Sequence, residues 1–181
     1  MGLTLITPPT SEPVSLAEAK EFCRVTDDRE DTTIQALISA AVRHLERDLA
    51  ISISEQQWQL TLGSFYDVID LPKGPVTSVD LVQYVDAAGD LQDADPSIYT
   101  VDLTGQRHRI IRNASAAWPK TNETPAAVMI TYTAGMADVD AGRDMWLAIQ
   151  FLVQHFYDRG ADSPEEPPIV KRLTRDYRRF V

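Results

Sequence analysis

Side chains able to do chemistry are few in this chain, and they lie far apart along it. The three histidines, His44, His108 and His155, fall in separate stretches. No two have the H-E-x-x-H or H-x3–5-H spacing that brings a pair of imidazoles onto one metal, so each reads as a surface or interface residue. Asp86, Asp90, Asp93 and Asp95 crowd into DAAGDLQDADP and suggest calcium. The spacing is not that of an EF-hand loop, however, and no glutamate arrives as the bidentate ligand, so the run reads as a solvated hairpin edge. The single cysteine, Cys23, has Arg24 as its one basic neighbour and sits in an apolar helical stretch. It reads as a structural thiol rather than an activated one. There is no glycine-rich phosphate loop and no G-x-S-x-G, and Gly135 and Gly142 stand alone as turn glycines do. The expectation is a chain without catalytic residues, metal or cofactor, and not an enzyme.

Charge carries more information. The net charge is −10, yet five of the 17 basic residues and only one of the 27 acidic ones lie in the last eleven positions. Residues 171–181 are therefore net +4, and the other 170 residues, with 12 basic and 26 acidic side chains, are net −14. Ile169, Leu173, Asp176, Tyr177 and Phe180 recur there at helical spacing among Lys171, Arg172, Arg175, Arg178 and Arg179, which predicts a short amphipathic basic helix. Five charges beside an acidic body make a poor nucleic-acid footprint. Docking into a partner protein, with Leu173, Tyr177 and Phe180 as apolar anchors and the arginines as rim, suits the pattern better. Packing on its own domain is the third reading.

The elements that must position this tail can be read from periodicity. Residues 143–159, RDMWLAIQFLVQHFYDR, hold no Gly or Pro and are apolar at almost every position from Met145 to Tyr157. As a helix they span roughly 25 Å. The apolar run before Gln150 is far short of the roughly 20 residues a membrane span needs, so this is a core helix, ended by Gly160. Upstream, Ser15 and Glu18 form a capping box opening a helix over 16–24. A second helix over 29–50 starts among carboxylates, and Ile34, Leu37, Ile38, Ala41, Leu45 and Leu49 make its apolar face. The period then changes to two. Alternating or short apolar runs at 57–62, 68–71, 78–86, 99–101, 109–111 and 128–132 predict about six short strands, with 87–90 closing a hairpin onto 91–92. Strands so short and close pair antiparallel.

The predicted class is α+β: a mainly helical unit of about four helices with an antiparallel β insertion at 56–134. The expected divisions are an extended arm at 1–12, a domain at 13–160, a linker at 161–168 and a basic arm at 169–181. Length corresponds to about one domain, and 44% apolar with 24% charged residues is ordinary for a soluble globular chain. One cysteine excludes an internal disulfide and suits a reducing compartment. Residues 1–10 lack the basic and apolar regions of a signal peptide, so synthesis and use in a cytoplasm are expected.

Several segments, in this order, resemble the head–tail connector (adaptor) proteins of tailed bacteriophages and prophages. They are PVSLAEAK at 13–20, Asp27-Asp28, QQWQL at 56–60, LPKGPVTSV at 71–79 and YVDAAG at 84–89. YTVD at 99–102, Trp118-Pro119, ITYTAG at 130–135 and the long helix ending at Gly160 complete the set. The resemblance implies a helical unit with a β insertion and no catalytic activity. It implies a ring, commonly of twelve copies, that binds the portal protein, extends the DNA channel and carries the next neck or tail-completion protein. DNA would pass without specific binding, for which an acidic body is suited, and no membrane is involved. Location would be the virion head–tail junction, and the host cytoplasm during assembly. The portal-docking arm would comprise Lys171, Arg172, Leu173, Arg175, Tyr177, Arg178, Arg179 and Phe180. Trp146, Phe151, Phe156 and Tyr157 of the long helix would face the core or the adjacent subunit. The alternatives are a small regulator that binds DNA through the basic tail, and a hydrolase whose site does not show in sequence.

Overall fold

A computed structural model describes residues 1–105, 107–122, 124–136, 142–160 and 166–178. The chain forms two compact units, one from Thr10–Ser54 with Met136–Val181 and one from Met1–Pro9 with Glu55–Gly135. Among the described residues, four helices and two antiparallel sheets, of five and three strands, make an α+β fold.

The helical unit starts at α1 (Leu16–Cys23). Ser15 Oγ accepts from the Glu18 N–H at 3.3 Å, and the Glu18 carboxylate accepts from the Ser15 N–H at 2.8 Å. Both groups of the predicted box are thus engaged, and the Ser15 hydroxyl holds the Glu18 carboxyl below its usual range. Arg24 ends α1 in the left-handed region (φ 57°). A 3-10 turn, Asp28–Glu30, then leads into α2 (Asp31–Asp48), so the helix expected from residue 29 begins two residues later and stops two earlier. Asp27 accepts from the Arg29 N–H and caps the turn. α2 buries Ile34, Ile38, Ala41, Val42 and Leu45. After it the chain stays inside, with Leu49, Ile51, Ser52 and Ile53 all buried. The Ile53 N–H is satisfied by Glu46 Oε1 at 2.8 Å, which gives a structural task to a charged side chain of α2.

α3 (Arg143–Arg159) spans the predicted residues and buries Met145, Ala148, Ile149, Gln150, Leu152, Val153 and Phe156. It packs on α1, on α2 and on α4 (Pro168–Leu173), which explains how one small unit covers so apolar a helix. Gly160 closes it at φ 90°, with its N–H on Phe156 O, a conformation that favours glycine. The basic helix expected over 169–181 is shorter. α4 ends at Leu173, and a separate 3-10 turn covers Arg175–Tyr177. Of the expected linker at 161–168, residues 161–165 lie outside the described residues.

The sheet unit contains β1 (Gly2–Thr7), β2 (Gln56–Leu62), β3 (Val68–Asp70), β4 (Val76–Val85), β5 (Leu91–Asp93), β6 (Tyr99–Asp102), β7 (Arg109–Arg112) and β8 (Val128–Ala134). The larger sheet runs β1-β2-β8-β4-β5 and the smaller β3-β7-β6, every pair antiparallel. The hairpin between β4 and β5 falls where the sequence places it. Asp86 Oδ1 accepts from the N–H groups of Ala88 and Asp90, and Gly89 takes φ 96°. One core joins the two sheets. Leu60, Val82, Val128, Ile130 and Tyr132 of the larger share it with Ile69 and Ile110 of the smaller and with Leu71, just past β3. On the larger sheet a polar network forms around Asp80, which accepts from Gln57 Nε2, Thr133 Oγ1 and Ser78 Oγ at 2.6–2.9 Å. The first residues, expected as an extended arm, include Gly2–Thr7, which pairs as β1 with β2 and belongs to the sheet unit.

Candidate functional site

The reactive side chains remain apart. His108 is a correction to the surface reading: it is buried, and its Nδ1 accepts from the Val76 N–H at 2.8 Å. An acceptor Nδ1 puts the ring proton of the neutral imidazole on Nε2, so this histidine fixes the start of β4. His44 is partly exposed, lies edge-on to Phe156 and stands 4.0 Å from Glu166 Oε1. Burial and the charge of Asp158 push the Cys23 thiol up, away from the thiolate form a nucleophile needs. Of the aspartates in this stretch, Asp86 and Asp95 hold turns, and Asp93 links β5 to β4. Asp93 accepts from Gln83 Nε2 and Asp95 from the Ser97 N–H. Among the described residues no group of three or more His, Cys, Asp or Glu could hold a metal. No described helix is long and apolar enough to cross a membrane.

The C-terminal segment is where chemistry gathers. Pro168 occupies the first turn of α4, where a missing N–H costs nothing. One side of α4 enters the helical core: Val170 and Thr174 are fully buried, and Thr174 Oγ1 donates to Val170 O at 2.9 Å. Ile169, Leu173 and Tyr177 are half-buried against the same core. Burial pushes the Tyr177 hydroxyl up, helped by Asp144 and Asp176. The opposite side carries Lys171, Arg172, Arg175 and Arg178, all exposed. Lys171 and Arg172 also lie in the last turn of α4, the favourable end of the helix dipole for cations. Arg178 Nη2 reaches Asp48 Oδ2 on α2 at 3.3 Å. Leu173 and Tyr177 are thus spent largely on the chain's own core, and what this segment presents outward is a basic face. Arg179 and Phe180 lie outside the described residues.

The four aromatics of α3 are sorted by the same core. Phe156 is buried, Trp146 and Phe151 are half-buried against it, and Phe151 meets Phe22 edge-on at 5.1 Å. Tyr157 points out, 38% exposed. Sequence reasoning missed an aromatic stack in the sheet unit. Phe65 and Trp118 lie parallel at 4.2 Å, Tyr99 stacks on Trp118 at 5.8 Å, and the Trp118 indole N–H donates to Tyr66 O. These rings come from loops and strands far apart in the chain, so no local period signals them.

The family model of phage gp6-like head-tail connector proteins matches residues 13–109, more than half of the chain. This chain belongs to the gp6-like head–tail connector family. It is a structural connector and not an enzyme. Solved structures agree along the whole length. A chain from the neck of an empty GTA particle, computed with C6 symmetry, superposes with a TM-score of 0.82 at 25% identity, covering 100% of this chain and 97% of that one. A chain from the virion of a native gene transfer agent (GTA) particle gives 0.81 at 24% identity with the same coverage. One from the neck of a native GTA particle, computed with C12 symmetry, gives 0.79 at 24%. No curated protein matches this chain.

Proposed function

We propose that this chain assembles as a ring, commonly of twelve copies, at the neck of a phage or phage-like particle, where it binds the portal protein through its C-terminal arm. In this reading it extends the DNA channel toward the next neck or tail-completion protein. The particle's head–tail junction is its final location, and the host cytoplasm its place of assembly. The observation that carries the reading is the full-length likeness to a neck protein of a particle solved with rotational symmetry. The charge map supports it, since an exposed basic face on an otherwise acidic chain suits an acidic docking surface. Net negative charge over the rest of the chain suits a conduit that DNA traverses without adhering.

Portal capture tests the arm. Removing 169–181 outright would take Val170 and Thr174 out of the core, so charge reversal is the cleaner variant. Lys171→Glu, Arg172→Glu, Arg175→Glu and Arg178→Glu together should leave the helical unit folded, at the loss of the exposed Arg178–Asp48 pair, and abolish co-purification with the portal protein. Normal capture of the quadruple variant would overturn the docking role.

A further inference from the structure

Among the described residues the two sheets have four edge strands, β1, β5, β3 and β6, and these are unlike one another. β5 is three residues long, ends in Asp93 and follows Asp86 and Asp90. β3 is three residues long, bounded by Asp67 and Asp70, and β6 has four residues and ends in Asp102. Short length and charge are the devices by which natural proteins keep a strand edge from recruiting another chain. β1, with the sequence GLTLIT, has neither: it runs six residues without a charge, and Leu5 and Ile6 are 40% and 47% exposed. Its one irregularity is the shift of register between Leu5 and Thr7.

We propose that the β1 edge is a pairing site for a second copy of this chain, and that it takes β5 of the neighbouring subunit. The proposal rests on the ring reading above. β1 and β5 are the opposite ends of one sheet, in the order β1-β2-β8-β4-β5. A contact between two different edges is heterologous, the kind that closes into a ring when repeated by rotation. With every pair in the sheet antiparallel, β1 and β5 run in the same direction. A copy related by a modest rotation therefore lays its β5 parallel to β1, a pairing that a sheet accommodates. Charge selects the partner edge. β5 against β5 would oppose Asp93 and the acidic hairpin to themselves, whereas β1 brings no charge to either. β1 against β1 is free of repulsion but isologous, and yields a two-fold pair that no cyclic ring contains. Leu91, 56% exposed on β5, is the apolar side chain available to meet Leu5 and Ile6. A three-residue strand buries far less than the roughly 1,200–2,000 Å² of a stable interface, so this contact registers neighbours and does not hold the ring unaided.

Photocrosslinking tests it with the full chain. A benzoylphenylalanine at position 6 is introduced, labelled and unlabelled copies are mixed, and the protein is irradiated alone at rising concentration and together with the portal protein. Crosslinks joining position 6 of one copy to residues 86–93 of another are expected. Crosslinks only within one copy, to β1 of another copy, or to a different surface or protein overturn the proposal. In parallel, Leu5→Lys with Ile6→Lys should raise the concentration at half-assembly roughly tenfold while the melting temperature is unchanged; equal assembly overturns it. Sedimentation separates the two readings. A chain monomeric in both conditions removes the ring and this contact together, whereas a ring with crosslinks elsewhere removes only the edge contact.

Discussion

Asp102 accepts from Thr104 Oγ1 at 2.6 Å and from the Thr104 N–H at 3.0 Å, and it pairs with Arg109 Nη2 at 2.8 Å. The Thr104 hydroxyl first, and then Arg109, hold its carboxyl down to about 2. An unfolded aspartate titrates near ~3.9. A folded value below the unfolded one means that the pairing stabilises the native state fully above the unfolded value and is lost as pH falls toward the folded one. Urea unfolding of the native chain and of Asp102→Asn should therefore differ at pH 5 and converge as pH falls to about 2. A gap independent of pH would assign the effect to shape rather than charge. Some single-residue roles were legible in advance. Ser15 and Glu18 act over three positions, a distance a motif can span. The roles of Glu46 and His108 were hidden, because their partners Ile53 and Val76 are set by a chain reversal and by the sheet unit's own tertiary packing.

Among the elements, α3 is the one whose sequence announces it, since an apolar run without Gly or Pro has few other fates. Which side each aromatic takes was not legible, because apolar residues fill both faces of this helix and the pattern alone does not rank them. The four-helix unit decides. Phe156→Ala should cost about 3–5 kcal/mol by leaving a cavity, and Tyr157→Ala within about 0.5 kcal/mol, as a surface change does. Equal losses in chemical denaturation would show that the outward face of α3 is also covered in the free chain. The opposite lesson comes from β1 and β4. GLTLIT alternates too weakly to declare a strand without β2 beside it. Register shifts after Val76 and Val79 break the period of β4 just where its length would otherwise show.

At the scale of the whole chain, the order helices, strands, helices was readable from Leu16 onward, while β1 ahead of it was not; the later strands run from Gln56 at the start of β2 to Ala134 at the end of β8. Less visible was that the chain builds two cores, one of helices and one between sheets. Separation of cores is a property of three-dimensional contacts, and local pattern does not encode it. Two cores predict unfolding that departs from a single cooperative step. Calorimetry should give a van't Hoff enthalpy below the calorimetric one. Ile149→Ala should lower one component of the transition and Leu60→Ala the other. A single transition shifted alike by both variants would count against independent cores.

One backbone hydrogen bond closes the helical unit on itself. Met136 N–H donates to Ile53 O at 3.0 Å, so the points where the chain leaves the helical unit and returns to it are already neighbours. Residues 55–135 are in that sense a cassette on a closed doorway, completed by β1 from the start of the chain. A short bridge from Ser54 to Met136 could replace residues 55–135 without stretching any helix. The segment between those two points can therefore be exchanged or resized while the four helices keep their own closure, and β1 is the one described strand left outside the exchange.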